Sequence, residues 1–546
     1  PYTVESETMT RELFETCLLL SKRLDKKYNK QTIAAKMTDV PGHTRSIIDP
    51  MYDAGIRLLH VGINSACPLP SVPTFCRWRS PSGNDLLLVY QKDYGEDEVL
   101  PDGKTVVSIN FTGDNHGPHS YERVKKIYAD LRKRYPQAQL VGASFNDVAR
   151  ELLLIKKDLP VVTSEIGDTW IFGYGGAPIR MAKFRAVSRL YSQWLNEGKI
   201  KKDSDVALDF AAELGLIAEH TQGVDVKTHL RQWDKYDMDK FLKGRSEGVF
   251  SMAEASWKEI DNYIDSAIAF LPASLQKEAR EVVAEVDKVK LEDNSKMKPM
   301  ARKRWEQPIA GGMTLAGLSY QMFDGDDYDD FQNRYLRARY EWALDDLGKR
   351  GLKESHAVSV TLYAQTMAQS VRKEKKGTRI ITELRFPENE KVDKRVYPER
   401  IQVNCFTTKN GKRSEVALTI YGKPAVRLPE SYWLSFTVPG IESVIAEKMG
   451  ERVDLMDVVE KGNRQMHGID RYVDLITSGE TIRISSKEAF LLNVGEAQGL
   501  NYSTNYPDKR KGVHFNLNNN LWGTNFSMWN EGSLTYHFVI ETLNRK

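Results

Sequence analysis

The chain has 546 residues, of which 41% are hydrophobic, and its 78 basic residues nearly balance 75 acidic ones for a net charge of +3. That length exceeds one ordinary core and points to two to four domains, and the composition excludes wholesale disorder. The charge balance argues against a phosphate-backbone binder, and no stretch reaches the ~20 apolar residues that span a membrane.

In chain order, ESETMTRELFETCLLLSKRLDKKY reads as a helix and TIAAKMTDV as a buried strand ending at a Pro-Gly turn. SIIDPMYDAG is a short helix closed by Gly55, and IRLLHVGIN, DLLLVYQ, VVSINFTGDNHGP, AQLVGAS and LPVVTSEIGDTW read as strands. Between them lie the amphipathic helix YERVKKIYADLRKRY and the helix NDVARELLLI, with Asn146 as its expected N-cap. Alternating strands and helices imply an α/β, (β/α) barrel-like domain with a largely parallel sheet over residues 1–180. Residues 181–300 read as a helical domain, one of its helices capped by Ser204 or Asp205. From 301 to 546, short strands with turn signals imply an antiparallel β-sandwich. In that region FDGDDYDDFQNRYLRARYEWALDD reads as a loop and helix on the surface. FNLNNNLWGTNFSMWN reads as an irregular loop, too polar for a central strand. Cys67 and Cys76 either pair or stay as two buried thiols, and the absence of a CxxC pair makes a thiolate zinc site unexpected.

Polar clusters recur where these strands end: Asp39, His43 and Arg45; then Asp114, Asn115 and His116; then Glu165, Asp168 and Trp170. Glu219 and His220 follow near a helix end. Each has a plainer reading alone, as a turn residue, an N-cap or a helix-end histidine. Together they mark one rim, because α/β sheets bind ligands at the carboxyl ends of their strands. Paired carboxylates with His or Arg suit acid–base chemistry or a hard metal.

These stretches also carry a resemblance. AAKMTDVPGHTRSIIDPMYDAGIRLLHVGIN resembles the nucleophile segment of the glycoside hydrolase family 38 (α-mannosidase) superfamily. GDNHGP resembles its acid/base segment, and AEHTQGVDVKTHL its His-rich metal segment. YGKPAVRLPESYWLSF and DVVEKGNRQMHGID are similar to the C-terminal β region of the branch that carries DUF5054. The resemblance implies a retaining, metal-dependent α-glycosidase acting on oligo- or polysaccharide. Asp39 would be nucleophile and zinc ligand, His220 a zinc ligand, and Asp114 at or beside the acid/base position. His43, Arg45, Asn115, His116, Glu165, Asp168, Trp170, His467, Asp470 and Asn525 are the candidate substrate contacts.

The family's opening strand also supplies a His-x-Asp pair that completes the zinc or other divalent-cation site. No His-x-Asp occurs in this sequence, which begins at Pro1. The expectation is a trimmed chain whose first strand is cut off. The other readings are a polysaccharide lyase or deacetylase on the same frame, and a catalytically decayed carbohydrate-binding protein. A polysaccharide-degrading role favours periplasm or secretion, and the sequence leaves open whether the chain forms a homo-oligomer.

Overall fold

The computed structural model describes residues 2–113 and 116–543. Helix α1 (Arg11–Tyr28) starts where the Thr10 hydroxyl accepts from the Leu13 amide, and it ends at Asn29 in the left-handed region. The first sheet contains β1 (Ala34–Asp39), β2 (Leu58–Ile63), β3 (Phe75–Arg79) and β4 (Asp85–Gln91). The hairpin β5 (Asp97–Val99) and β6 (Val106–Ser108) stands apart, and β7 (Val161–Val162) closes the far side.

The sheet order is β1-β2-β4-β3-β7, an open arrangement in place of the barrel-like closure read from the sequence. The three strands β1, β2 and β4 run parallel, so their carboxyl ends share one rim. β3 was not anticipated. It runs antiparallel to β4, giving a mixed sheet. AQLVGAS forms no strand, and β6 is shorter than its sequence pattern implied.

Helix α2 (Ile48–Asp53) packs under the sheet, while α3 (Tyr121–Arg134) and α4 (Phe145–Leu154) follow the hairpin. α4 is capped by Ser144 and not by Asn146. The Asn146 Oδ1 instead accepts from the Ile33 and Ala34 amides, at 3.0 and 3.1 Å, pinning the start of β1. α5 (Pro178–Asn196), with Pro178 in its first turn, leads into α6 (Asp205–Leu214), capped by Ser204 as expected. The short α7 (Val226–His229) precedes α8 (Met238–Ser246), α9 (Ser251–Ala269) and α10 (Ala273–Asp287). Tyr191 of α5 binds Thr16 of α1 at 2.8 Å and packs on Phe210 of α6 with ring centres 5.1 Å apart.

The C-terminal part is two antiparallel sheets, one of seven and one of ten strands among the described residues. They face each other through Phe436 and Phe515 of the smaller sheet and Phe538 of the larger, with ring centres 5.4 and 5.0 Å apart. FNLNNNLWGTNFSMWN departs from its reading, because Val513–Asn519 is a strand inside the smaller sheet, paired on both sides. Asn519 Nδ2 donates to Asn516 Oδ1 at 2.8 Å and to the Phe172 carbonyl at 3.0 Å, while Asn518 Oδ1 has no partner among the described residues. A buried polar strand is tolerable when its polar atoms are paired in this way. The acidic insert also departs from a surface role. Tyr328, Phe331 and Tyr335 of its helix Gly325–Tyr335 are buried, and the Tyr335 hydroxyl meets Thr169.

Candidate functional site

The parallel strands β1, β2 and β4 end on one side of the sheet, and Asp39 is the last residue of β1. β1 ends there with the backbone at φ +83°, a region that non-glycine residues rarely adopt. The next two parallel strands supply its partners. Asn64, just beyond β2, donates its side-chain amide to Asp39 Oδ1 at 2.9 Å, and its backbone amide to the Asp39 carbonyl at 2.9 Å. Tyr94, beyond β4, donates its hydroxyl to the same Oδ1. On the other oxygen, His220 Nε2 lies 3.2 Å from Oδ2, and His220 Nδ1 meets Glu219 at 2.6 Å.

Burial works against charge on both sides of this pair, and the contacts overcome it. The hydrogen bond and charge of His220, helped by Tyr94 and Asn64, hold Asp39 below the usual carboxylate range. Asp39 and Glu219 together raise His220 to about 10. The result is an ionised carboxylate clamped by three donors at the end of a strand.

The Pro-Gly turn is a device for close approach. A Cβ on Gly42 would stand 2.3 Å from the Ile166 carbonyl oxygen, and one on Gly167 would stand 2.3 Å from that of Asn463. Three stretches of backbone thus stack with no side chain between them. His43 is buried against this stack, in an isolated bridge with Ile166. Burial, and then the charge of His220, depress it to about 4, so it is neutral.

Asp168 is buried beside Glu5. Its Oδ1 accepts from the Trp170 amide at 2.8 Å, and its carboxyl faces that of Glu5. Burial pushes both above the usual range, Glu5 the further, and neither Glu5 oxygen nor Asp168 Oδ2 has a hydrogen-bond partner among the described residues. Trp170 is close to the centre, its ring 6.2 Å from that of His220, with its indole N–H on Cys67 Sγ. Asn525 accepts from the Gln222 amide at 3.2 Å and so braces the His220 segment. Gln222 itself is buried and donates to the Ile217 and Glu219 carbonyls.

Four expected contacts are engaged elsewhere. Arg45 pairs with Glu451 and Asp457, both at 2.9 Å, and Glu165 accepts from the Arg45 amide and from Lys448. His467 is buried on the Arg464 carbonyl, and burial holds it neutral. Asp470 lies beside Arg189 of α5. Arg45, Glu165 and Asp470 tie the first part of the chain to the β region, whereas the His467 bond stays within that region. His116 is exposed, and Asp114 and Asn115 lie outside the described residues. The stretch leading to them does reach the site, because Phe111 packs edge-on against Tyr94 with ring centres 5.3 Å apart.

Sequence reasoning passed over Asn64 and Tyr94. Their signal was present, since each follows a strand that runs parallel to the one ending at Asp39.

The donor set does not fit a zinc site by itself. Asp39 and His220 are in direct contact with each other, and no cluster of three or more His, Cys, Asp or Glu able to hold a metal occurs among the described residues. Catalytic zinc takes three protein ligands. No step below is routed through a metal.

Residues 175–307 match the model of a family described as a domain of unknown function, DUF5054. No curated protein matches the chain. Among solved structures, an α-mannosidase from Enterococcus faecalis V583 is similar over 100% of this chain and 78% of that one, at 9% identity and a TM-score of 0.58. A protein in the glycosyl hydrolase family 38 from Enterococcus faecalis matches over 100% and 77% at 10% identity, with a TM-score of 0.49. The first likeness establishes a shared fold.

Proposed function

We propose that this chain, with its α-mannosidase-like fold and DUF5054 segment, is a glycoside hydrolase that cleaves an α-glycosidic bond in an oligo- or polysaccharide with retention. The observation that carries the reading is Asp39, an ionised carboxylate at a strand end, fixed through both oxygens by Asn64, Tyr94 and His220. A nucleophile needs to be charged, oriented and restrained in this way. Asp39 would attack the anomeric carbon, and Tyr94 and His220 would steady the carboxylate as its charge passes into the new ester bond. A second carboxyl would protonate the leaving oxygen and then activate water, as retaining chemistry requires. Asp114 is our candidate, because Phe111, three residues before it, packs on Tyr94.

The test is incubation with a panel of α-glycosides, α-mannosides first, with the product anomer followed by NMR and a fluorinated substrate used to trap the ester. Retention and a label on the Asp39 peptide are the expected results. Inversion, or a label elsewhere, would remove Asp39 from the role.

A second reading has its own observation. The direct Asp39–His220 contact and the shortage of metal donors also suit a decayed site that binds sugar without cleaving it. Saturable sugar binding with no turnover, unchanged in Asp39→Asn, would favour that reading.

A further inference from the structure

Beside the segment that braces His220 is a small cavity of about 20 Å³, lined in part by Trp233, Tyr236, Asp346, Lys349, Arg427 and Thr524. It has room for one water-sized particle and for nothing as large as phosphate or a sugar ring.

The charges around it do not balance. Asp346 is paired with Lys227 at 2.8 Å, and Asp345, also on the wall, is paired with Arg350 at 3.2 Å. Lys349 and Arg427 remain. Lys349 Nζ donates to the Trp522 carbonyl at 2.9 Å, and Arg427 Nη1 to the Trp233 carbonyl at 3.3 Å. Neither forms a salt bridge with a carboxylate among the described residues. Arg427 is only 3% exposed, is stacked 4.1 Å from the centre of the Tyr236 ring, and has an Nε with no partner among the described residues. Burial opposes charge on both groups; at Lys349 the Arg427 charge adds to it and the amine falls to about 7, while at Arg427 Tyr236 and Asp234 offset part of it. Two desolvated cations sharing one wall, with carbonyls as their hydrogen-bond partners, are costly unless an anion sits between them.

We propose that the cavity binds one halide-sized anion, of the chloride class, between Lys349 and Arg427. The ion would neutralise the pair and fix the Trp522–Asn525 stretch, whose Thr524 binds the Asp346 carbonyl and whose Asn525 holds the Gln222 amide next to His220. The site is a structural brace one layer behind the reaction centre, and it stands whether or not the chain hydrolyses sugar.

The test uses the full chain in sodium chloride, sodium bromide and sodium gluconate at matched ionic strength. A saturable rise in melting temperature of several degrees is expected with chloride and bromide over gluconate. Crystals in bromide are expected to show an anomalous peak between Lys349 Nζ and the Arg427 guanidinium. Arg427→Gln and Lys349→Gln should each abolish the halide-specific rise. Lys349→Gln removes a single carbonyl bond and keeps the test open if the arginine variant does not fold. Equal melting in chloride and gluconate with no bromide in the cavity overturns the proposal, and so does a halide rise that survives both substitutions.

Discussion

At the scale of single residues, Asp39 combines the role proposed for it with a strained backbone. Its positive φ is a conformation that side chains resist by roughly 1–2 kcal/mol and that glycine adopts freely. Asp39→Gly is therefore expected to melt higher than Asp39→Ala by about 1 kcal/mol, with both inactive, as measured by denaturant unfolding and glycoside hydrolysis. Tyr94→Phe deletes one hydrogen bond to a charged group, worth about 1.5–3 kcal/mol, and should lower kcat roughly 10–100-fold while leaving the fold intact. The sequence made Asp39 and His220 legible because strand ends and a resemblance pointed to them together. It concealed the fate of Arg45 and Glu165, which are likewise ionisable residues following a strand. What separates them is a partner far along the chain, Glu451 for one and Lys448 for the other, and no local pattern encodes that.

At the scale of elements, β2 and β4 were readable from their apolar runs, β1 from its approach to the Pro-Gly turn although it is mostly half-buried, and α1, α5 and α6 from their period and caps. The Val513–Asn519 strand was not. Its asparagines look like loop residues until their amide partners are known, and two of those partners, the Phe172 and Tyr432 carbonyls, lie on other elements. Next to it, Asn520 Nδ2 donates to the Val426, Leu428 and Met528 carbonyls, and its Oδ1 accepts from the Glu430 amide. Asn520→Ala leaves these buried groups unpaired and is expected to cost about 3 kcal/mol or more, read from urea unfolding. On β2, His60 accepts from Lys36 Nζ through Nδ1 and donates to Gln91 through Nε2, both at 2.8 Å, which is the neutral form. Burial, then the Lys36 charge, depress it to about 4, from 6.5 in the unfolded chain. Between those values the unfolded state binds more protons, so stability rises with pH through that window and is lost as pH falls through it. His60→Gln should flatten this acid loss by roughly 2–3 kcal/mol between pH 7 and 4, measured as unfolding free energy against pH.

At the scale of the whole molecule, a few buried ions join parts that lie hundreds of residues apart. Lys448, from the large β sheet, reaches Glu7 at 2.8 Å and Glu165 at 3.2 Å with all three side chains buried. Lys448→Met strands two carboxylates and is expected to cost about 3–5 kcal/mol, seen as a fall in melting temperature. Arg185 and Arg189 of α5 clasp the carbonyls of Asp470 and Lys487 in the same region. The alternation of fold classes along the chain was legible as a change of period, but this stitching was not, because it consists of single charges whose mates are decided by topology. The stacking of Gly42 on Ile166 and Gly167, and of Gly167 on Asn463, has a consequence in time. A chain growing from the ribosome makes Gly42 and Gly167 long before residue 463 appears, and domains fold as they emerge. The backbone stack that follows Asp39 lacks its Asn463 layer at that stage. The nascent chain therefore passes through a period in which Asp39 exists without its full setting, which is completed only once Asn463 has been made.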